Sequence, residues 1–181
     1  MRKDEFINLD PDEQIEFEVH RNPIASVPIY LTGLIIFTML LGLVYLAATN
    51  TAEIAEFVPP LAVYFGISLL MLLDVGITFI AAAIFMNNYL VITNENLIQM
   101  LQMSLFSRKV SQLSLAKIQD VTAKQNGFFP TVFKYGSIGI ESAGEQSNFT
   151  FRFAEKPYES AKRIIDAGDR YNSKHGLSKE F

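Results

Sequence analysis

Residues 68–85 read "SLLMLLDVGITFIAAAIF", apolar apart from a few small polar side chains and one carboxylate, Asp74. A core helix of a soluble domain normally keeps a polar stripe for water, and this run has none. Working outward, the apolar stretch extends over residues 57–86. A second one, "IASVPIYLTGLIIFTMLLGLVYLAA", covers 24–48 without a charge. Each exceeds the roughly 20 residues needed to cross about 30 Å of hydrocarbon. The short link "TNTAEIAE" joins them, so the sequence predicts a transmembrane hairpin over 24–86, with helices at about 26–48 and 59–86.

The charges fall around this hairpin. All 15 Lys and Arg lie at positions 2, 3 and 21 or from Arg108 onward, which leaves residues 22–107 without a basic side chain. The link carries Glu53 and Glu56 but no cation, while both flanking segments have cations, so both termini are expected in the cytoplasm and the protein in the inner membrane as a multi-pass chain. The first 25 residues hold seven acids against three bases and lack the pattern of a signal peptide. The net charge of -4 conceals a segment from Asn88 onward that is +3. With no cysteine and two histidines, disulfides, thiolate nucleophiles and zinc or iron–sulfur centres have no ligands to draw on.

Asp74 requires an explanation at membrane depth. Aligning Ala48 with Pro59 and counting inward at about 1.5 Å per residue puts it level with Gly33, about 22 Å from the outer edge. An acid at the bilayer centre costs about 2.5–3.5 kcal/mol, and less toward the interface. Tyr30 and Thr32 on the first helix and Thr78 on the second are its expected hydrogen-bonding neighbours. A proton or ion pathway is one reading. Two helices cannot enclose such a pathway, and the other reading is a polar contact serving helix pairing, oligomer contacts or interfacial solvation.

Beyond Met86 the pattern changes to short alternating segments. "NNYLVITNENLIQMLQM" reads as a hairpin turning at Asn94–Asn96, followed by "SRKVSQLSL", "KIQDVTAKQ", "SIGIESA" and "NFTFRFA". In the last, Phe149, Phe151 and Phe153 are expected on one face. "KPYESAKRIIDAGDRYNSK" then takes helical spacing, with Pro157 in the first turn and Tyr158, Ala161, Ile164, Ile165 and Gly168 on one face. The expected fold is an α+β membrane protein, in which the hairpin precedes a small antiparallel β-barrel or sandwich capped by a C-terminal helix. Its parts are a cytoplasmic N-terminal segment 1–23, the hairpin 24–86, a β-rich domain 87–172 with its helix at about 157–172, and a flexible tail 173–181.

This order resembles the bacterial pleckstrin-homology-like (PH-like) membrane-protein family, in which a two-helix hairpin leads into a cytoplasmic PH-like domain. Three passages carry the resemblance: "LDPDEQIEFEVHRNPI" at 9–24, "NYLVITNENLIQMLQMSLFSRKVSQLSLAKIQDV" at 88–121, and "FKYGSIGIESAG" at 133–144. In the first, Asn22 stands where the family pattern has a His, and His20 falls two residues early. The resemblance implies a domain that tends to self-assemble.

Glycine-rich phosphate loops and hydrolase or metalloprotease motifs are absent. His20 and His175 lie on opposite sides of the hairpin, so no triad is indicated and the chain is expected to be non-catalytic, without cofactor, metal or nucleic-acid partner. A phosphoinositide pocket needs several cations converging near the first hairpin, and that hairpin, "TNEN", carries Glu95 at its tip, so none is expected. Arg108 and Lys109 either touch anionic headgroups or are solvated charges on an edge strand. Phe128 and Phe129, with Phe133, either dock on the barrel, dip into the membrane interface or contact a protein. The acidic stretch 10–18, in which Ile15, Phe17 and Val19 alternate with Glu16, Glu18 and His20, reads as a strand able to join a sheet edge. Three functions follow as expectations. The first is a membrane-held binding or scaffold module with a protein partner or a second copy of itself. The second is an anionic-lipid sensor, and the third an accessory part of a transport complex using Asp74.

Overall fold

The computed structural model describes residues 12–143 and 148–176. The chain divides into two compact units, the helical Ser26–Phe85 and a β-rich unit formed by the chain on either side of it. Residues 10 and 11 of the acidic stretch, Gly144 of the third resemblance passage, and 177–181 of the expected tail lie outside the described residues.

In the helical unit, α1 (Val27–Thr49) and α3 (Pro60–Met86) are joined through the short α2 (Thr51–Ala55). A proline in the first turn of α1 costs no hydrogen bond, because amides there lack an intrahelical acceptor. Thr32, Thr38 and Thr49 donate their hydroxyls to carbonyls three or four residues earlier in α1, so these polar groups are satisfied within their own helix, and Thr51, which opens α2, donates back to the Ala48 carbonyl of α1. Both long helices have the length and apolarity to cross a membrane, and few of their side chains are buried. Where they touch, Gly33 faces Thr78. A Cβ on Gly33 would lie 2.3 Å from Thr78 Oγ1, so the absent side chain allows the close approach.

The β-rich unit has two antiparallel sheets. The first is ordered β1 (Ile15–His20), β2 (Tyr89–Thr93), β3 (Asn96–Gln102) and β4 (Arg108–Ser114). The second comprises β5 (Ile118–Lys124), β6 (Tyr135–Ser142) and β7 (Phe149–Glu155), with α4 (Phe128–Phe133) preceding β6 and α5 (Pro157–Lys174) following β7. The sheets are not closed into the expected barrel. The chain turns from β4 to β5 through a 3-10 turn at Leu115–Lys117, and on the other side the two sheets are linked by an isolated bridge, Arg21–Ala154, one residue beyond β1. The pre-helix segment Ile15–His20 is thus an edge strand of the first sheet, with Phe17 and Val19 turned to the core.

Alternation builds the core. Leu90 and Ile92, Leu97, Leu113 and Leu115 meet Val121, Ile138, Ile140 and Phe151 from the second sheet and Ala161, Ile164 and Ala167 from α5. Each fully buried large side chain contributes about 1.5–3 kcal/mol. Val91, Ile98 and Met100 form a second buried cluster from the intervening positions of β2 and β3, which explains why "YLVIT" is apolar on both faces.

Two sequence expectations change. Phe151 is fully buried, yet Phe153 turns outward and Ala154 takes the inward place. The register of β7 on β6 slips here, with Gly136 opposite Ala154 and Ser137 opposite Arg152, and Phe153 is the extra residue at φ 62°. A bulge of this kind reverses the faces beyond it, so period-two reading fails at that point. On α5, Tyr158 and Ile165 are exposed, while Ala167 and Asn172 are buried beside Ala161, Ile164 and Gly168. The contact face is rotated because β5 and the turn before it accept small residues close to the helix.

The "TNEN" turn is held by the chain before the hairpin. Glu13, buried, accepts from the Thr93 hydroxyl at 2.5 Å and from Asn96 Nδ2 at 2.9 Å, and Thr93 Oγ1 accepts the amides of Asn96 (2.8 Å) and Glu95 (3.2 Å). Asn94 Oδ1 accepts the Gln14 amide at 2.8 Å. Two of the resemblance passages, about 80 residues apart, are therefore one piece of structure.

Candidate functional site

Strand register gathers several features at one end of the β-rich unit. His20, the last residue of β1, pairs with Tyr89, the first of β2, and Tyr89 pairs in turn with Met100 near the end of β3. Gln102 pairs with Arg108, so the β3–β4 loop, residues 103–107, lies at this same end. So do the two points where the chain passes to and from the helical unit.

An asparagine stands at each of those points. Asn88, two residues beyond α3 and buried, accepts the Gln102 amide through Oδ1 at 2.9 Å and thereby fixes the base of the β3–β4 loop. Asn22, also buried, donates from Nδ2 to the Phe133 carbonyl at the end of α4 (3.1 Å) and accepts the Ile24 amide (2.9 Å). Its own amide donates to the Phe153 carbonyl at 2.8 Å. The bulge at Phe153 thus presents an acceptor to the chain just before α1. Arg21 lies over the rings of Phe151 and Phe153, each 5.9 Å from the guanidinium, and burial lowers its pKa from the ordinary arginine value. The signal for both asparagines was their place just outside the apolar runs, but nothing in the sequence named their acceptors and donors.

Phe128 and Phe129 lie on the short helix α4, and the core-docking alternative fails for them: they are 76% and 64% exposed. Gly127, at φ 109°, sets the chain into α4, and Lys134 in the left-handed region ends it. Phe129 and Phe133 stack with centroids 6.4 Å apart, and Phe128 meets Phe129 edge-on at 5.7 Å. Arg108 and Lys109 are exposed at the start of β4, and Arg108 Nε donates to Gln102 Oε1 at 2.9 Å.

Lys109 also lines a cavity of about 540 Å³ together with Gln99, Ser111, Gln112, Asn148 and Thr150. Gln99, buried, donates from Nε2 to the Thr150 carbonyl at 3.3 Å and so joins the two sheets beside it. Leu101, Leu113 and Phe149 complete the lining, so the groove is mixed, with one cation, amides and hydroxyls beside an apolar wall.

In the helical unit Tyr30, Asp74 and Thr78 line one apolar cavity of about 350 Å³ with Gly33, Leu34 and Phe37. Thr32 is not part of it: its hydroxyl donates to the Pro28 carbonyl at 2.8 Å instead. Among the described residues Asp74 makes no hydrogen bond or ion pair. His20 lies 2.8 Å from Glu18, and His175 stacks on Tyr171. Among the described residues no three His, Asp or Glu side chains gather as metal ligands.

No curated protein matches the chain. The family model for the bacterial PH domain matches residues 24–167, which takes in both long helices, six of the seven described strands and most of α5, leaving β1 and the end of α5 outside. With most of its length matched in this way, and with two antiparallel sheets followed by a C-terminal helix, the chain belongs to the bacterial PH domain family.

Proposed function

We propose that this protein is a non-catalytic binding and assembly module held at the cytoplasmic face of the inner membrane by α1 and α3. The family supports the binding role, since PH-like domains are commonly binding modules. The observation that carries the membrane part is the exposure of large apolar side chains along both helices, with Met39, Leu61, Leu72 and Phe79 each about two-thirds exposed or more. Water would penalise each of these by about 1.5–3 kcal/mol relative to burial, whereas acyl chains accept them. Cations before and after the helices, with acids alone between them, favour cytoplasmic termini.

In this reading the helices supply location, and the β-rich unit supplies a rigid surface with edges able to take a further strand. The partner is a protein, with a second copy of the chain as the first candidate. Alkaline carbonate should leave the protein in the membrane pellet, and crosslinking in native membranes should capture a protein on the β-rich unit. Release into the carbonate supernatant would remove the anchoring.

A second reading, an anionic-lipid sensor, draws on the exposed pair Arg108 and Lys109, each worth about 1 kcal/mol near a charged surface. It predicts that replacing both with alanine abolishes any response of the full chain to anionic lipid. The scaffold reading predicts unchanged crosslinking in that variant.

A further inference from the structure

The β3–β4 loop was not singled out by any pattern in the sequence, and its construction is unusual for a loop in water. Met103, Leu105 and Phe106 project from it, and Phe106 is 98% exposed. The polar groups of the same loop turn inward. The amides of Met103 and Ser104 donate to the Ser107 carbonyl (2.9 and 3.2 Å), the Ser107 amide donates to Ser104 Oγ (3.1 Å), and Gln102 Nε2 donates to the Ser104 carbonyl (2.5 Å). Much of the backbone is therefore satisfied internally, which is the condition for placing a loop where water is scarce. The side chains left over for contact are three large apolar ones.

Position selects the occupant. Asn88 ties the base of this loop to the chain two residues beyond α3, and Asn22 ties the end of α4, with Phe128 and Phe129, to the chain just before α1. Both apolar tips thus sit at the end of the β-rich unit where Asn22 and Asn88 mark the chain's exit from it and return to it. Exposed cations flank them, Arg108 and Lys109 beside the loop, Lys124 and Lys134 on either side of α4. Apolar tips bordered by cations match a bilayer interface, with acyl chains below and anionic headgroups around. A protein groove would need no such alignment with the points of departure.

We infer that Met103, Leu105 and Phe106 form a wedge inserted into the cytoplasmic interface of the same membrane, with α4 as a second contact, so that the β-rich unit is held in a set orientation on the lipid. This rests on the proposal that α1 and α3 span the bilayer. The absence of cysteine makes the test direct. Full-length variants carrying Phe106→Cys, Met103→Cys, Leu72→Cys or Ser173→Cys, each labelled with an environment-sensitive fluorophore, are placed in nanodiscs containing phosphatidylethanolamine and phosphatidylglycerol. Brominated acyl chains then report depth.

The expected result is loss of emission at 106, 103 and 72, and none at 173, which is exposed near the end of α5. If 72 is quenched while 106 and 103 stay as bright as 173, the wedge is overturned and the spanning helices stand. If 72 is not quenched, the spanning reading fails and the wedge with it. Phe106 touches almost nothing in the protein, and the Met103 variant supplies an independent reading should either label disturb the loop.

Discussion

Phe79 and Phe151 carry the same side chain into opposite situations. Phe79 is 72% exposed on α3, whereas Phe151 is fully buried where the two sheets and α5 meet. The difference runs through the molecule. In the β-rich unit, inward positions of seven strands converge on a shared cluster, so the protein supplies its own apolar surroundings. Two helices alone cannot do this, since each has one neighbour and most of its circumference faces outward. Their stability depends on what lies outside the chain, and the proposed membrane is that medium.

This contrast is broken most readily at the phenylalanines. Phe151→Ala should cost the β-rich unit about 3–5 kcal/mol, and Phe79→Ala should leave it within about 0.5 kcal/mol. Urea unfolding of the full chain in detergent, followed by circular dichroism, measures both. Equal losses would mean that the two units are not separate in energy.

The glycines sharpen the same comparison. A Cβ on Gly136 would fall 2.3 Å from the Lys124 carbonyl oxygen and 2.9 Å from Pro157 Cγ, so it meets backbone that is already paired in the sheet. The three atoms nearest a Cβ on Gly33 all belong to the Thr78 side chain, and none to backbone. Gly136→Ala is expected to destabilise by about 1–3 kcal/mol, and Gly33→Ala by less, with the same unfolding curves as the measure.

Two acids differ similarly. Glu13→Ala removes the acceptor of Asn96 Nδ2 and leaves the buried Thr93 hydroxyl only the longer bond to the Asn96 carbonyl, and should cost about 1–3 kcal/mol. Glu53→Ala, exposed in the link between the helices, should cost nothing measurable. Hydrogen exchange at Glu95 and Asn96 should rise in the first variant alone.

A smaller effect than that of Glu13→Ala is expected on the helix that packs on the β-rich unit. Arg163 lies 3.9 Å from the centre of the Phe17 ring, and Arg170 pairs with Glu16, so α5 is fastened to the strand that precedes the hairpin. Arg163→Ala should lower stability by about 0.5–1 kcal/mol. An unchanged midpoint would show that α5 is held by its buried alanines and Ile164 alone.

Periodicity carried most of the architecture. The two apolar runs, the strand positions after Met86 and the helix opening at Pro157 were legible because each is a local pattern of side chains repeated over several residues. The family was legible from the order of those patterns along the chain. Of the candidate residues, Arg108, Lys109, Phe128 and Phe129 stand exposed, and Tyr30, Asp74 and Thr78 line one cavity while Thr32 does not.

The tertiary structure alone decided the rest. That Glu13 would hold a turn some 80 residues away, that Asn22 and Asn88 would fasten two apolar tips, and that Phe153 would leave the face of Phe151 all depend on partners distant in sequence. A single hydrogen bond between remote groups has no period, and a one-residue bulge cancels a period that was there. Burial patterns could therefore be read from composition along the chain, while the surface that this protein turns toward its surroundings was set by which ends of the strands came together.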